Sequence, residues 1–181
     1  MTLNRPQKAN ALSLALTEAC NAALADAATR ADVRAVVFTG AGERTFSAGA
    51  DLSRPTENVD AFLTRRREAF AHMLRALAAF EKPLVAAVNG AACGAGMMIS
   101  MLCDATVAAD SARFSLPEIN KGLPALPGVA ITANRFGAAL AADLVLSGRW
   151  MNAQEALARG VARAVVPAAE LAATAQKIAL E

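Results

Sequence analysis

Tyrosine is absent from this 181-residue sequence, tryptophan occurs once, and aromatic residues make up only 4% of the chain. Proteins that bind single-stranded nucleic acid stack the bases on aromatic side chains, so this scarcity argues against such a surface. The formal net charge of +2 at pH 7 does not provide the basic patch that DNA or RNA would need. The sequence therefore predicts no nucleic-acid partner.

Cysteine occurs only three times, at Cys20, Cys93 and Cys103, and no two of these have the CxxC spacing. An odd number without that spacing indicates neither a disulfide framework nor a zinc site, and the sequence shows no other metal-ligand cluster. The N-terminus also lacks the basic and apolar segments of a secretory signal peptide. We therefore expect a cytoplasmic protein without a bound metal.

Several catalytic classes lack their characteristic residues. The single histidine, His72, falls within an amphipathic helical pattern, where a packed or solvated ring is the ordinary interpretation. Ser47 does not lie in a GxSxG elbow, so the sequence offers no serine-hydrolase nucleophile. No GxGxxG loop or P-loop is present, which disfavours a Rossmann nucleotide binder.

The longest uncharged run covers residues 83–103, which is enough for a membrane span. However, Asn89-Gly90, Gly94 and Gly96 interrupt it, and a membrane helix carries such breaks poorly. We interpret LVAAV as a buried strand, followed by a glycine-rich turn and a buried helix that begins near Met97. A turn of this kind presents backbone N–H groups beside a positive helix end, which suits an anion.

Helical and strand-like patterns alternate along the chain. The predicted helices follow Ser13 and cover 58–80, 129–146, 153–159 and 168–180. The segments VRAVVFT, CDATVAAD and 161–166 are typical of strands, RFSLPEI of a short extended segment, and ERTFSAGADLSRP and GLPALPG of loops. This alternation, without a linker or an internal repeat, predicts a single α/β domain over residues 1–181.

Two loops of small residues follow apolar strands, FSAGADL at 46–52 and NGAACGAG at 89–96. Small residues let a ligand approach the backbone, although either loop alone is a weak signal. Together with LNRPxxxNAL at 3–12, FSLPEI at 114–119 and the segment LSGRWMNAQEALARGVARAVVP, they resemble the crotonase superfamily, the enoyl-CoA hydratase/isomerase family. The motifs cover most of the chain in the family's order.

The resemblance implies an α/β fold of the crotonase-like type, a spiral of ββα units. It also implies an acyl-CoA thioester substrate, with coenzyme A as part of the substrate and no separate cofactor, and a homo-oligomer, either a trimer or a dimer of trimers. Family members usually have a strand before LNRP and further helices after VVP. We therefore expect a fold shortened at both ends, with a bare sheet edge.

In the family, two backbone N–H groups form an oxyanion hole for the thioester carbonyl, and this role falls on Ala50 and Ala95. Ala95 stands where glycine is common, and its N–H keeps this function unless the position needs a positive φ. The acyl-CoA site is expected to include Ala48, Gly49, Asp51, Leu52, Gly94 and Met98. Further contacts to coenzyme A are possible from Lys8, Arg54 and the arginine run at 65–67.

Hydratases of the family use two glutamates, one after the GxG loop and one in the FxxPE segment. The second is present here as Glu118, but Met98 occupies the first position, and the segment 123–129 offers no acid instead. A thioether cannot transfer a proton, so the resemblance favours a Δ3,Δ2-enoyl-CoA isomerase with Glu118 as the single proton shuttle. An enoyl-CoA hydratase and a non-catalytic module that binds coenzyme A or a partner stay open as alternatives.

Overall fold

The computed structural model describes residues 1–53, 55, 56 and 58–181, which form nine strands and seven α-helices. The strands are β1 (Thr2–Leu3), β2 (Val36–Gly40), β3 (Thr45–Ser47), β4 (Leu84–Val88), β5 (Ala91–Cys93), β6 (Ala105–Ala109), β7 (Arg113–Ser115), β8 (Met151–Asn152) and β9 (Ala164–Val166). The helices are α1 (Leu14–Thr29), α2 (Val59–Ala78), α3 (Ala95–Leu102), α4 (Leu126–Phe136), α5 (Ala138–Ser147), α6 (Ala153–Ala158) and α7 (Leu171–Leu180). Short 3-10 helices lie at Pro6–Lys8, Pro117–Lys121 and Ala168–Glu170.

The strands form two sheets. The larger sheet is parallel throughout and has the order β1-β2-β4-β6-β9. The smaller sheet has the order β3-β5-β7-β8, and only the β7–β8 pair is antiparallel. From β2 to β7, successive strands alternate between the two sheets, and a helix follows each pair. The repeating ββα units confirm the predicted α/β class.

The core strands are continuous apolar runs. All five residues of β4 are buried, and four of the five in β6 are buried. Such runs are typical of parallel strands that are covered on both faces. Helix α7 contacts β4 and β6, and α3 also contacts both strands. The strand prediction for LVAAV is therefore confirmed, and part of the long uncharged run is core.

The smaller sheet differs from the prediction, because β3 and β5 lie in segments that were predicted to be loop and turn. Each is only three residues long, which is too short for a period-two pattern to identify. These segments are strands because of their pairing with neighbouring strands, which the local sequence does not show. Thr45 lies opposite Ala91, and Ala92 lies opposite Phe114.

Most helices agree with the predictions, with three differences at their first residues, one of which is that α7 begins at Leu171, after a 3-10 helix at Ala168–Glu170. Helix α1 is capped as expected, since the Ser13 hydroxyl accepts a hydrogen bond of 3.2 Å from the Leu16 N–H. Helix α3 begins at Ala95, two residues before the expected start. Helix α4 begins inside the predicted GLPALPG loop and contains Pro127, which a first helical turn tolerates because the missing N–H would have no partner there.

The expectation of a bare sheet edge is corrected in part. Thr2 and Leu3 pair in parallel with Thr39 and Gly40, so a two-residue strand covers the end of β2. None of the helices within the described ranges has the length and hydropathy needed to cross a membrane. The segment that raised that question contains β4, β5 and α3.

Asn10 ties the N-terminal segment to β3. It is fully buried and has a φ of 52°. Its Nδ2 donates to the carbonyl oxygens of Ala41 at 2.9 Å and Thr45 at 2.8 Å, and its Oδ1 accepts from the Arg5 N–H at 3.0 Å. The Ser47 hydroxyl completes the contact by donating to the Asn10 carbonyl at 2.9 Å. The loop after β3 therefore depends on this side chain for its position.

We expect Asn10→Ala to lower the free energy of unfolding by about 3 kcal/mol more than Asn58→Ala does, because it leaves several backbone groups buried without partners. Asn58 is a matched control, since it has the same left-handed backbone with a φ of 53° but is exposed and caps α2 with no side-chain bond. Urea denaturation of both variants measures the difference. Equal losses would show that the Asn10 hydrogen bonds contribute nothing beyond backbone conformation.

Candidate active site

The loop after β3 directs the N–H of Ala50 away from the N-terminal segment. The Leu12 N–H donates to the Gly49 carbonyl at 2.8 Å, and the Asp51 N–H donates to the Leu12 carbonyl at 3.1 Å. This parallel bridge uses the groups on either side of Ala50, so the N–H of Ala50 itself points the other way. That N–H donates to none of the described residues.

A second free donor lies at the start of α3. Gly94 has a φ of 51°, and its N–H donates to the Ser115 carbonyl at 2.8 Å. Ala95 is the first residue of the helix, where an N–H has no intrahelical acceptor. Ala95 is not among the residues with positive φ, so alanine in place of glycine brings no backbone strain here.

Two glycines allow these loops to meet. A Cβ on Gly49, whose φ is 87°, would lie 2.6 Å from the Cys93 carbonyl oxygen and 3.2 Å from the Ala95 nitrogen. A Cβ on Gly96 would lie 2.6 Å from the Ser47 carbonyl oxygen. Only glycine permits such contacts between backbones. Two unpartnered N–H donors on adjoining loops are suited to bind one developing oxyanion.

The 3-10 helix Pro117–Lys121 places Glu118 over the second loop. A Cβ on Gly94 would lie 3.1 Å from Glu118 Oε1. Glu118 Oε2 is buried and has no hydrogen-bond partner among the described residues. Burial raises the pKa of this carboxyl group above its ordinary value of 4.5. Such a group can accept and return protons at a bound ligand.

A cavity of about 270 Å³ opens between the two loops and Glu118. Eight of the nine residues predicted for the site line it, namely Ala48, Gly49, Ala50, Leu52, Gly94, Ala95, Met98 and Glu118. The structure thus brings together three segments that are far apart in the chain. Its carboxylate and its two free N–H groups face a largely apolar space.

Sequence reasoning missed seven residues of the cavity wall. They are Phe70, Cys93, Pro117, Lys121, Leu123, Pro124 and Pro127. Phe70 falls within the predicted helix 58–80, but helical spacing does not say which neighbour that side of α2 contacts. Burial, followed by the Glu118 carboxylate, raises the pKa of the Cys93 thiol to about 11, so it is protonated at neutral pH and poorly nucleophilic.

Comparison with known proteins agrees with this arrangement. The family model described as enoyl-CoA hydratase/isomerase matches residues 1–181. The chain belongs to the enoyl-CoA hydratase/isomerase family.

Among the relatives of this family member, the 2,3-dehydroadipyl-CoA hydratase of Escherichia coli (strain K12) is 42% identical over 169 residues, which are 92% of this chain and 65% of that protein. The short-chain-enoyl-CoA hydratase of Clostridium acetobutylicum is 36% identical over 181 residues, which are 99% of this chain and 69% of that protein. The crystal structure of enoyl-CoA hydratase from Bacillus anthracis superposes with a TM-score of 0.92 at 35% identity, covering 98% of this chain and 69% of that one. The chain thus spans about two thirds of the length of these relatives.

Met98 lies in the wall of the cavity, at the position where the resemblance predicts an acid. It lies on α3, three residues after Ala95, and is 4% exposed. A Cβ on Gly128 would lie 3.0 Å from its terminal methyl carbon, so α4 closes against it. Glu118 is the only acidic residue among the described residues that line the cavity of this family member.

Asp51 is the one predicted site residue that does not line the cavity. Its Oδ1 accepts the Ser53 N–H at 3.0 Å and its Oδ2 accepts Arg5 Nη1 at 2.8 Å. The Ser53 bond and then the Arg5 partner lower the pKa of Asp51 to about 2. Arg66 also donates to the Asp51 carbonyl at 2.7 Å. The Asp51 carboxylate therefore has partners within the protein and holds the loop, and its contact with a ligand stays a prediction.

The basic residues predicted for coenzyme A lie outside the cavity or outside the described residues. Arg65 pairs with Glu18 at 2.8 Å, and Arg66 is bound to the loop as above. Lys8 is exposed at the end of the first 3-10 helix. Arg54 lies outside the described residues. Their contact with coenzyme A stays a prediction.

His72 is exposed on α2 and lines a separate groove against α1. Within the ranges that the structure describes, no group of three or more histidine, cysteine, aspartate or glutamate residues is arranged to hold a metal ion.

Because burial raises the pKa of Glu118, the folded protein holds this proton more tightly than the unfolded chain. The stability from the protonated group is complete below the unfolded value, near 4.5, and is lost as pH rises through the folded pKa. We therefore expect Glu118→Gln to become increasingly more stable than wild type as pH is raised from acidic to neutral. Urea denaturation across pH measures this difference.

Glu155→Gln is the control of opposite sign, because hydrogen bonds from Arg149 lower the pKa of Glu155. That variant should be less stable than wild type at neutral pH, and the deficit should vanish as pH falls through the folded pKa of Glu155. A pH-independent difference between Glu118→Gln and wild type would contradict a raised pKa at Glu118.

Proposed function

We propose that the protein is an acyl-CoA enzyme that works through a thioester enolate, as a Δ3,Δ2-enoyl-CoA isomerase. One observation carries the proposal. A single half-buried carboxyl group, that of Glu118, shares a cavity with the free N–H groups of Ala50 and Ala95, and the described wall of that cavity contains no second acid. Coenzyme A enters as part of the substrate, without a separate cofactor.

In the proposed reaction, the N–H groups of Ala50 and Ala95 hold the thioester oxygen of a 3-enoyl-CoA. The Glu118 carboxylate removes a proton from C2, and the electron pair moves through C1 to the oxygen and forms a dienolate. Glu118 then returns the same proton to C4, so that the double bond moves from C3–C4 to C2–C3. Each preorganised donor stabilises such a transition state by about 2.7–4 kcal/mol, and the positive end of α3 acts on the same charge.

The raised pKa of Glu118 supports this role. A base that must also act as an acid works best when its pKa is not far below the working pH. Burial without a hydrogen-bond partner raises the pKa of the carboxyl group towards the working pH. The oxygen without a partner is then available for the substrate proton.

Hydration of a 2-enoyl-CoA is the second candidate, because the Escherichia coli and Clostridium acetobutylicum relatives are named as hydratases. In this chain the water would have to be activated by Glu118 alone, since the Met98 thioether neither accepts nor donates a useful proton. A crotonase-like module that only binds coenzyme A or a partner would show neither reaction.

Two further features belong to the proposal. We propose a homo-oligomer, a trimer or a dimer of trimers, which the exposure of Leu126 (71%) and Leu146 (70%) supports because exposed apolar side chains favour association. A cytoplasmic location agrees with free thiols at Cys20, Cys93 and Cys103.

We expect the wild-type protein to convert a 3-enoyl-CoA to its conjugated isomer, seen as a rise in ultraviolet absorbance, without hydrating a 2-enoyl-CoA. Glu118→Gln should lower kcat by about 10²- to 10⁴-fold, the usual contribution of a general base, while acyl-CoA binding is kept. Glu43→Gln, which changes an exposed loop carboxylate, is the control and should keep full activity.

The other outcomes separate the alternatives. Hydration of the 2-enoyl-CoA by wild type would favour the hydratase. No turnover of either substrate, with coenzyme A still bound, would favour the non-catalytic module. Turnover that does not respond to Glu118→Gln would instead show an enzyme in which Glu118 is not the proton shuttle.

Ala95→Pro tests the second N–H donor. Proline is compatible with the first position of a helix but has no N–H, so the variant removes the donor and keeps the helix. We expect kcat to fall by about 10²- to 10³-fold. Ala138→Pro is the matched control, because Ala138 also begins a helix after a glycine with positive φ but does not line the cavity. Similar activities in the two variants, both folded by circular dichroism, would remove Ala95 from the oxyanion hole.

A further inference from the structure

The wall of the cavity contains one basic side chain among the described residues, and the proposed reaction does not use it. Lys121 lines the cavity together with Leu123, Pro124 and Pro127, which offer it no polar partner. Proton transfer by Glu118 and oxygen binding by two N–H groups leave this ammonium group without a role.

Backbone geometry places Lys121 beside Glu118. The two residues are three apart in the 3-10 helix Pro117–Lys121, where side chains at i and i+3 lie in one row about 6 Å apart along the axis. Two backbone hydrogen bonds hold the end of this helix. The Gly122 N–H donates to the Ile119 carbonyl at 3.1 Å, and the Leu123 N–H donates to the Glu118 carbonyl at 3.0 Å. The side chains of Glu118 and Lys121 therefore face the same cavity from one short 3-10 helix.

Lys121 takes no part in the ion pairs formed within the part of the chain that the structure describes. Its neighbour Glu118 does not neutralise it either, since one Glu118 oxygen has no partner among those residues. The cavity thus has an unused cation one helical turn beyond its proton-transfer group, and a bound ligand can supply the anion.

We infer that Lys121 binds a free carboxylate at the far end of the acyl chain, so that the preferred substrates are coenzyme A monothioesters of short dicarboxylic acids. The inference rests on the proposed function for the direction of the chain. If the thioester oxygen lies at the N–H groups of Ala50 and Ala95 and Glu118 acts at C2 and C4, the ammonium group of Lys121, one helical turn further, meets the acyl chain beyond C4. A carboxylate there forms a charge-assisted hydrogen bond with the ammonium group.

The expected size of the effect is moderate. Lys121 is exposed in the free protein, so solvent reduces the attraction, whereas the apolar neighbours become drier when a ligand fills the cavity. We expect a terminal carboxylate to strengthen binding by about tenfold, the lower range for a hydrogen bond to a charged group.

The test measures calorimetric binding of two saturated thioesters, hexanoyl-CoA and adipoyl-CoA, which differ in the terminal carboxylate and contain no double bond to move. Wild type should bind adipoyl-CoA about tenfold more tightly than hexanoyl-CoA. Lys121→Met should abolish this preference without weakening hexanoyl-CoA, and Lys121→Arg should keep most of it. Lys177→Met, at an exposed lysine on α7, is the control and should behave as wild type.

Free coenzyme A is the third ligand, because its phosphates are the other anions that a lysine at this cavity can meet. If Lys121→Met weakens free coenzyme A, hexanoyl-CoA and adipoyl-CoA alike, Lys121 contacts the phosphates and the inference is wrong. Equal affinities of wild type for the two acyl-CoAs would also overturn it.

Turnover of the unsaturated pair, 3-hexenoyl-CoA and 3-hexenedioyl-CoA, separates this inference from the proposed function. Isomerisation of 3-hexenoyl-CoA together with equal binding of the saturated pair would leave the isomerase standing and remove the role of Lys121. A preference for adipoyl-CoA that depends on Lys121, without any turnover, would leave the carboxylate site standing and remove the isomerase.

Discussion

The site depends on a contact between two backbones, where the loop after β3 meets the start of α3. Gly49 and Gly96 have no side chains to keep these segments apart, and any Cβ there would lie within 2.6 Å of a carbonyl oxygen on the other segment. The contact brings the Ala50 N–H close to the first N–H of a helix. Asn10 stabilises this contact, because the hydrogen bonds of its side-chain amide hold β3 against the N-terminal segment. A shift of either loop would separate the two donors.

The carboxyl group of Glu118 packs against the backbone of Gly94, and this contact disfavours its charged form. Its carboxyl group lies directly over Gly94, and one of its oxygens is buried without a partner, which raises its pKa. The Asp51 carboxylate, in contrast, accepts hydrogen bonds from Arg5 and Ser53. Asp51 therefore holds a loop, whereas Glu118 is available for proton transfer. A local loss of stability is common at functional sites of this kind.

The features that could be predicted are those with a local physical cause. The buried strand at Leu84–Val88 is a continuous apolar run, and Ser13 caps α1 through its own hydroxyl. Eight predicted residues line the cavity, since each belongs to a motif whose neighbours restrict its conformation. The strands β3 and β5 were missed because three residues are too few for a pattern, and they exist only through their pairing. The pairing of Asp51 with Arg5 could not be predicted for a similar reason, because the two residues lie 46 positions apart in the chain.

The sequence by itself determined the α/β class and the motifs of the enoyl-CoA hydratase/isomerase family, since these are properties of residue types and their order. Only the tertiary structure decided that, among the described residues, the N–H groups of Ala50 and Ala95 have no acceptor and Lys121 has no ion-pair partner. It also decided that Lys121 shares a cavity with Glu118, and that partial burial raises the pKa of Glu118. Burial and hydrogen-bond partners depend on segments that are distant in the chain. Local spacing carries no information about which of these segments will meet.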